Sequence, residues 1–295
     1  MILLPITYYL LPITYYLLPI TYYLLPITYY PIIPMKKTYA LSLSLLILLS
    51  CQSTSFPDEE SWIDLTHSLD QHTIYWPTEP GTFHLDPVYE GETEGGYYYS
   101  AYKFCMPEHG GTHMDAPVHF AEGNKSVDQI EIKQLIGEGI VVDLSDKAHN
   151  NPDYLISEKD LEEWFKKEKV NPTGKIILFY TGHESKWSDR ADYLGTPLKG
   201  EEAVPNLHFP GLSEKGALWL VNVGAKAVGL DTPSIDYGQS KDFMAHRVLF
   251  AANIPAFENL TNLKKIADQK VYVIALPSKI GGGSGAPLRV IATPI

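Results

Sequence analysis

Short apolar runs closed by turn or polar residues recur along the chain at "GIVVDLS", "KIILFYTG", "AKAVGLD" and "KVYVIALP". That is the pattern of strands buried on both faces. Two further runs, "WIDLTHSL" and "YYYSAYKFCM", carry the β-branched and aromatic content of strands, and the second alternates with a period of two. Between the runs, "SEKDLEEWFKKEKV" opens with Ser157 and Asp160 in a cap-like spacing. It then sets Leu161, Trp164 and Phe165 on one side, which predicts a helix. "LSEKGALWLVNVG" predicts a second helix, with Ser213 as N-cap and Gly224 as stop. Strands alternating with helices, with no internal linker, predict one mixed α/β layered domain over residues 62–295.

The start of the chain obeys a different rule. Within residues 1–34, "LLPITYY" repeats four times without change up to Tyr30, and its prolines at 5, 12, 19 and 26 rule out a helix, a coiled coil or a helical membrane span. Identical copies that back-translate to the nucleotide unit CCTATTA read as a translated tandem array; an unstructured tail is the alternative. At Met35 the pattern begins again: "MKKTYALSLSLLILLSCQ" has a basic start, an apolar run and a small residue before Cys51. That is a secretory signal peptide over residues 35–51. Its end, Leu48-Leu49-Ser50-Cys51, resembles a bacterial lipobox, so an exported, membrane-anchored lipoprotein is expected, with lipidated Cys51 as its only membrane contact. An ordinary signal peptide is the alternative. The polar stretch over residues 52–61 reads as a tether.

Two cysteines in the whole chain leave only Cys105 after Cys51, so the mature domain has no internal disulfide and must be held by its core. Roughly 240 residues follow Cys51, enough for one sizeable core. The formal charge of −12, with no clustered Lys/Arg footprint, excludes nucleic acid as a partner.

The chemistry concentrates in "HGGTHMDAPVHF", where His109, His113, Asp115 and His119 all fall on odd positions. In extended chain they would share a face. A straight strand would spread them over roughly 30 Å, far beyond one metal's reach, so the chain must bend. Gly110, Gly111 and Pro117 supply the bending points on either side of the His-x-Asp core. Downstream, "AHRVLFAANIPAFENL" adds His246 and Glu258, each among apolar residues. The two groups together provide enough N and O donors for a two-metal site with a carboxylate free to bridge.

The first stretch resembles the His-x-Gly-Thr-His-x-Asp-x-Pro-x-His signature of the cyclase or metal-dependent hydrolase family, which includes bacterial kynurenine formamidase and isatin hydrolase. It matches at His109, Gly111, Thr112, His113, Asp115, Pro117 and His119. "FPGLSEKGALWLVNVGAKAVGLDTPSID", "AHRVLFAANIPAFENL" and "LPSKIGGGSGAPLRVIA" are similar to the family's later blocks. The resemblance implies a swivelling β/β/α-type fold. It implies one metal on His109, His113 and Asp115, a second on Asp115, His246 and Glu258, and His119 as general acid/base. It also implies a substrate contact at Trp76, for which a packed core aromatic is the alternative. Tyr97, Tyr98 and Tyr99 are expected to pack in a strand, with an aromatic pocket as the other use.

Two divalent ions, Zn²⁺ first and Mn²⁺ second, would suit this donor set. The implied substrate is a small aromatic amide, N-formylkynurenine before a cyclic amide such as isatin, and the implied assembly is a homo-oligomer. Catalysis of this kind needs no Ser or Cys nucleophile, and "YTGHES" contains no nucleophile elbow. A non-catalytic, surface-anchored binding protein would be expected to lack a ligand or His119, and the sequence lacks neither.

Overall fold

The computed structural model describes residues 59–295. The heptad repeat, the signal peptide and residues 52–58 of the tether lie outside the described residues. Among those described, no helix is long and apolar enough to cross a membrane.

Twelve strands appear in chain order: β1 (Ile63–Asp64), β2 (His84–Glu92), β3 (Tyr98–Cys105), β4 (His113–Asp115), β5 (Ile136–Asp143), β6 (Leu155–Ile156), β7 (Ile176–Tyr180), β8 (Gly211–Leu212), β9 (Ala227–Leu230), β10 (Ala256–Glu258), β11 (Lys270–Pro277) and β12 (Gly285–Pro294). The main sheet runs β1-β12-β11-β5-β7-β9-β10-β4, and β4 pairs again with β12. The sheet therefore closes on itself as a barrel-like ring. The run β5-β7-β9-β10 is parallel, while β11, β12 and β4 join it antiparallel.

Alternation along the strands divides the core into two layers. Val141, Ile176 and Leu178 face one cluster with Met114, Phe257, Val273 and Val290, drawn from strands all round the ring. That cluster fills its interior. Their neighbours Ile140, Val142, Ile177 and Phe179 face outward onto a second cluster shared with the helices. Strands buried on both faces are what the continuous apolar runs require.

The three longest helices are α1 (Glu158–Glu168), α2 (Glu214–Val223) and α3 (Met244–Ala251). Both sequence-predicted helices form where their caps placed them. The Ser157 hydroxyl accepts from the Asp160 amide while Asp160 reaches back to the Ser157 amide. The Ser213 hydroxyl accepts from the Gly216 amide, and Gly224, at φ +75°, ends α2 in the left-handed region that favours glycine.

Two sequence expectations change. "WIDLTHSL" gives only the two-residue β1, held at the edge of β12. The tyrosines at 97–99 neither pack into the core nor line the site; they are exposed on or beside β3, whose partner is β2 alone. The strand propensity was right, but among the described residues the hairpin pairs with no further strand.

Candidate metal centre

Sheet register assembles the site. His113 and Asp115, two apart on β4, point the same way. On one flank, β10 places Glu258 directly opposite His113, and on the other β12 places Gly285 opposite Asp115. Gly285 is needed there because a Cβ would sit 2.5 Å from the His109 ring. The bends fall as the sequence predicted: Gly111 takes φ +59° before β4, and Pro117 opens a single 3-10 turn that carries His119. The first turn of α3 brings His246 in from the helical layer.

Three imidazoles are each held at one nitrogen, with the other turned towards carboxylate. His113 Nδ1 donates to the Gly111 carbonyl at 3.0 Å. Its Nε2 is buried with no hydrogen-bond partner, 3.1 Å from Asp115 Oδ1 and 3.4 Å from Glu258 Oε2. His246 Nδ1 lies 2.6 Å from Asp236 Oδ2, leaving Nε2 3.2 Å from Asp115 and 3.3 Å from Glu258. His109 Nδ1 lies 2.7 Å from Asp115 Oδ1, and its Nε2 is 3.0 Å from the Ser284 hydroxyl, which donates to Glu108 at 2.7 Å. Fixing the far nitrogen is how proteins orient imidazole ligands.

The electrostatics call for a cation. Burial and the neighbouring Asp115 charge both push the Glu258 carboxyl up. Burial pushes Asp115 the same way, but the surrounding imidazoles outweigh it and hold Asp115 well below the usual carboxylate range. Burial alone would lower His113, yet Asp115 and Glu258 raise it to about 9. His246 is likewise raised well above its ordinary value against burial, by Asp115, Asp236 and Glu258. Two buried carboxylates facing three imidazoles, one of them with an unpartnered nitrogen, fit divalent ions, which supply positive charge without protonating the rings. This donor set is the chain's candidate for a divalent metal.

His119 reaches the same cluster from the 3-10 turn after β4. Its ring stacks on His109 at 4.0 Å and meets Phe120 edge-on at 4.6 Å. The residue keeps an exposed side, but this apolar and aromatic packing desolvates the ring, and desolvation draws its pKa down to about 4. His119 is thus neutral at physiological pH. It also lies close enough to His109 and Asp115 to share an ion with them.

Above the site is a cavity of about 220 Å³ lined by Trp76, Tyr75, His119, Phe120, Phe243 and the ligand set. Trp76 is in this wall as the sequence expected, and it is also braced edge-on against Phe209. The sequence-predicted residues His109, His113, Asp115, His119, His246, Glu258 and Trp76 all come together here. Sequence reasoning missed Asp236, Glu108 and Ser284. Asp236 accepts the Ala245 and His246 amides at the start of α3 as well as the imidazole, so it holds helix and ligand together. Only a buried acid in "SIDYG" and the serine in "GGGSGAP" signalled them, and neither is distinctive alone.

The Cyclase family model matches residues 63–237. Kynurenine formamidase of Bacillus anthracis is 30% identical over 237 residues, spanning 79% of this chain and 98% of that protein. Isatin hydrolase of Roseibium aggregatum is 28% identical over 196 residues, 63% of this chain and 72% of the relative. Among solved structures, isatin hydrolase A from Ralstonia solanacearum superposes with a TM-score of 0.69 at 25% identity, covering 89% of this chain and 99% of the other. Isatin hydrolase A from Labrenzia aggregata gives 0.71 at 26%, covering 85% and 98%. With the ligand set in place and the match running through most of the described domain, the chain belongs to the cyclase family and is a metal-dependent amide hydrolase.

Proposed function

We propose that this enzyme is an arylformamidase that hydrolyses N-formylkynurenine or a close aryl formamide at a two-ion centre, Zn²⁺ before Mn²⁺. His109, His113 and Asp115 would hold one ion, and Asp115, His246 and Glu258 the second. The observation that carries this reading is that the Nε2 atoms of His113 and His246 each face both carboxylates, at 3.1 to 3.4 Å. Asp115 and Glu258 would therefore be within reach of an ion held by either imidazole. Glu258, buried beside Asp115, supplies the second carboxylate that a two-ion centre would need.

Bound divalent ions would polarise the amide carbonyl and bring a water's pKa from 15.7 towards about 7. Asp236, Gly111 and Ser284 orient the rings that hold them. Neutral His119 accepts the water's proton at an imidazole nitrogen and returns it to the departing nitrogen, so amide and water leave as formate and an aryl amine. Trp76, Phe120 and Phe243 give the small cavity aromatic walls suited to the ring of such a substrate.

The test is N-formylkynurenine turnover before and after chelation, with bound metal counted. Loss of activity on chelation and recovery with zinc supports the reading; no turnover despite about two ions per chain, as a two-metal site holds, redirects it to isatin and related cyclic amides. That second reading draws on the isatin hydrolase A structures, which share the fold over most of the chain.

The same proposal includes a homo-oligomeric assembly and export as a lipoprotein anchored at Cys51. The lipobox-like end of residues 35–51 and the polar stretch after it support the anchor. Labelled fatty acid should enter the wild type and not Cys51→Ser; equal labelling would refute the anchor.

A further inference from the structure

Beside the candidate metal centre lies a second cavity, of about 760 Å³, which shares Ile74, Tyr75, Trp76 and Glu79 with the first. The inner cavity, at about 220 Å³, is smaller than the roughly 300–1,000 Å³ of an ordinary small-molecule site. A substrate larger than a single substituted ring therefore extends beyond it, and the shared stretch marks the direction. Trp187 belongs to the outer wall, where it is stacked on His67 at 3.9 Å and edge-on to Tyr193 at 5.0 Å. Two cations, Arg190 and Lys199, line the same cavity. Arg190 opens the short helix Arg190–Leu194, and its Nη1 donates to the Leu198 carbonyl at 3.2 Å. Lys199 comes next in the chain, and the Gly200 amide after it donates to the Pro77 carbonyl at 3.0 Å. These two bonds tie residues 198–200 both to Arg190 and to the stretch that the cavities share.

Arg190, Lys199 and Glu79 belong to no ion pair among the described residues. Asp189, next to Arg190, instead caps the short helix through the Ala191 and Asp192 amides. Burial lowers the Arg190 guanidinium with no carboxylate acting against it. A cation partly withdrawn from water without a counter-charge favours an anionic ligand. We propose that the outer cavity is the subsite for an α-amino-acid tail, with Arg190 and Lys199 receiving its carboxylate and Glu79 its ammonium, while the aryl amide occupies the inner cavity. Beyond the Leu198 bond the guanidinium keeps donors to spare, in the planar fork that matches a carboxylate. Two cations alone would suit any anion. Glu79 in the same wall disfavours a purely anionic ligand such as phosphate and favours a zwitterion. The chain as a whole carries −12, so only local cations of this kind can draw a carboxylate in. N-formylkynurenine bears such a tail on its ring, and isatin has none.

This inference rests on the arylformamidase reading above, and two substrates with the same ring and formamide separate the two. One is N-formylkynurenine; the other is 2-formamidoacetophenone, which lacks the amino-acid tail. In the wild type kcat/KM should favour the tailed substrate. Arg190→Gln should cut that preference by about tenfold or more, the worth of one charge-assisted contact. The loss should fall mainly on KM, because the tail does not react. Lys199→Gln, at an exposed position, should cut it by less, and Lys215→Gln, which removes an exposed cation on α2, should leave it as it is. Equal kcat/KM for the two substrates in the wild type, or a preference that survives Arg190→Gln, overturns the subsite and leaves the hydrolase reading in place. A preference that falls as far in Lys215→Gln does the same. If the wild type turns over neither formamide, the arylformamidase reading falls and calorimetry judges the subsite. L-kynurenine should then bind at least about tenfold more tightly than 2-aminoacetophenone, with Arg190→Gln removing the difference; equal affinities in the wild type overturn the subsite as well.

Discussion

Two acid–base pairs separate the functional regions of this molecule. Beneath the candidate metal centre, Asp236 and His246 meet at 2.6 Å, both almost wholly buried; on the β2–β3 hairpin, Asp86 and Lys103 meet at 3.6 Å, both largely exposed. The first pair joins a helix start, an imidazole and a carboxylate cluster in a medium that strengthens every charge. The second is surrounded by water that screens it. Polar residues are buried where chemistry needs them, whereas the hairpin's charges meet in water, so substitutions should separate the two regions by effect size.

The largest effect is expected at Asp115, which faces the imidazoles of His109, His113 and His246. Asp115→Ala should abolish both metal binding and turnover, read by metal content and amide hydrolysis. Retained turnover would refute the site. His119→Ala should keep the metal and lower kcat by about 10²–10⁴, the usual worth of general acid–base catalysis. Since His119 also lies within ligand distance of His109 and Asp115, loss of an ion in this variant would reassign it as a ligand.

Buried polar groups behind the site carry a pH signature. His183 is buried, with Nε2 donating to the Tyr193 carbonyl, and desolvation lowers its pKa from 6.5 to about 4. The unfolded chain therefore takes up this proton first on acidification. The group's contribution to stability is complete above pH 6.5 and is lost as pH falls towards 4, by about 3 kcal/mol in all. Asp231, raised to about 6 by burial, acts in the opposite sense: its penalty at neutral pH is relieved as pH falls through 6. Comparing wild type with His183→Gln cancels Asp231. The stability difference should shrink between pH 6.5 and 4; a difference independent of pH would contradict a buried neutral His183.

Smaller still is the effect at the supporting hydroxyl. Ser284→Ala leaves His109 Nε2 without its 3.0 Å partner and Glu108 without one of its donors. Loss of such support typically costs about 10–100-fold in metal affinity. Competition with a chelator should show it, with Ser284→Thr restoring part of the loss.

How much of this was legible in sequence follows from which interactions are local. Ser157 and Asp160 cap α1 within four residues, and Gly111 and Pro117 bend the chain around His113 and Asp115, so helix limits and half of the site could be read directly. His246 and Glu258 were found by their apolar surroundings and by family resemblance. Ring closure through β4 and β12, the Gly285 contact with His109 and the Asp236 support join residues more than a hundred positions apart or carry no distinctive spacing. The fate of Tyr97–Tyr99 was illegible for another reason: a strand that is apolar on its exposed face reads like a core strand until its neighbours are known.

The smallest effect belongs to the ion pair of the β2–β3 hairpin. Lys103 pairs across the hairpin with Asp86, on the face opposite Leu85 and Phe104. An exposed pair at this distance contributes at most about 1 kcal/mol. Lys103→Ala should therefore leave the thermal unfolding midpoint nearly unchanged; a fall of many degrees would show that this pair, though in water, holds the two strands of the hairpin together, and the contrast with the buried Asp236–His246 pair would fail.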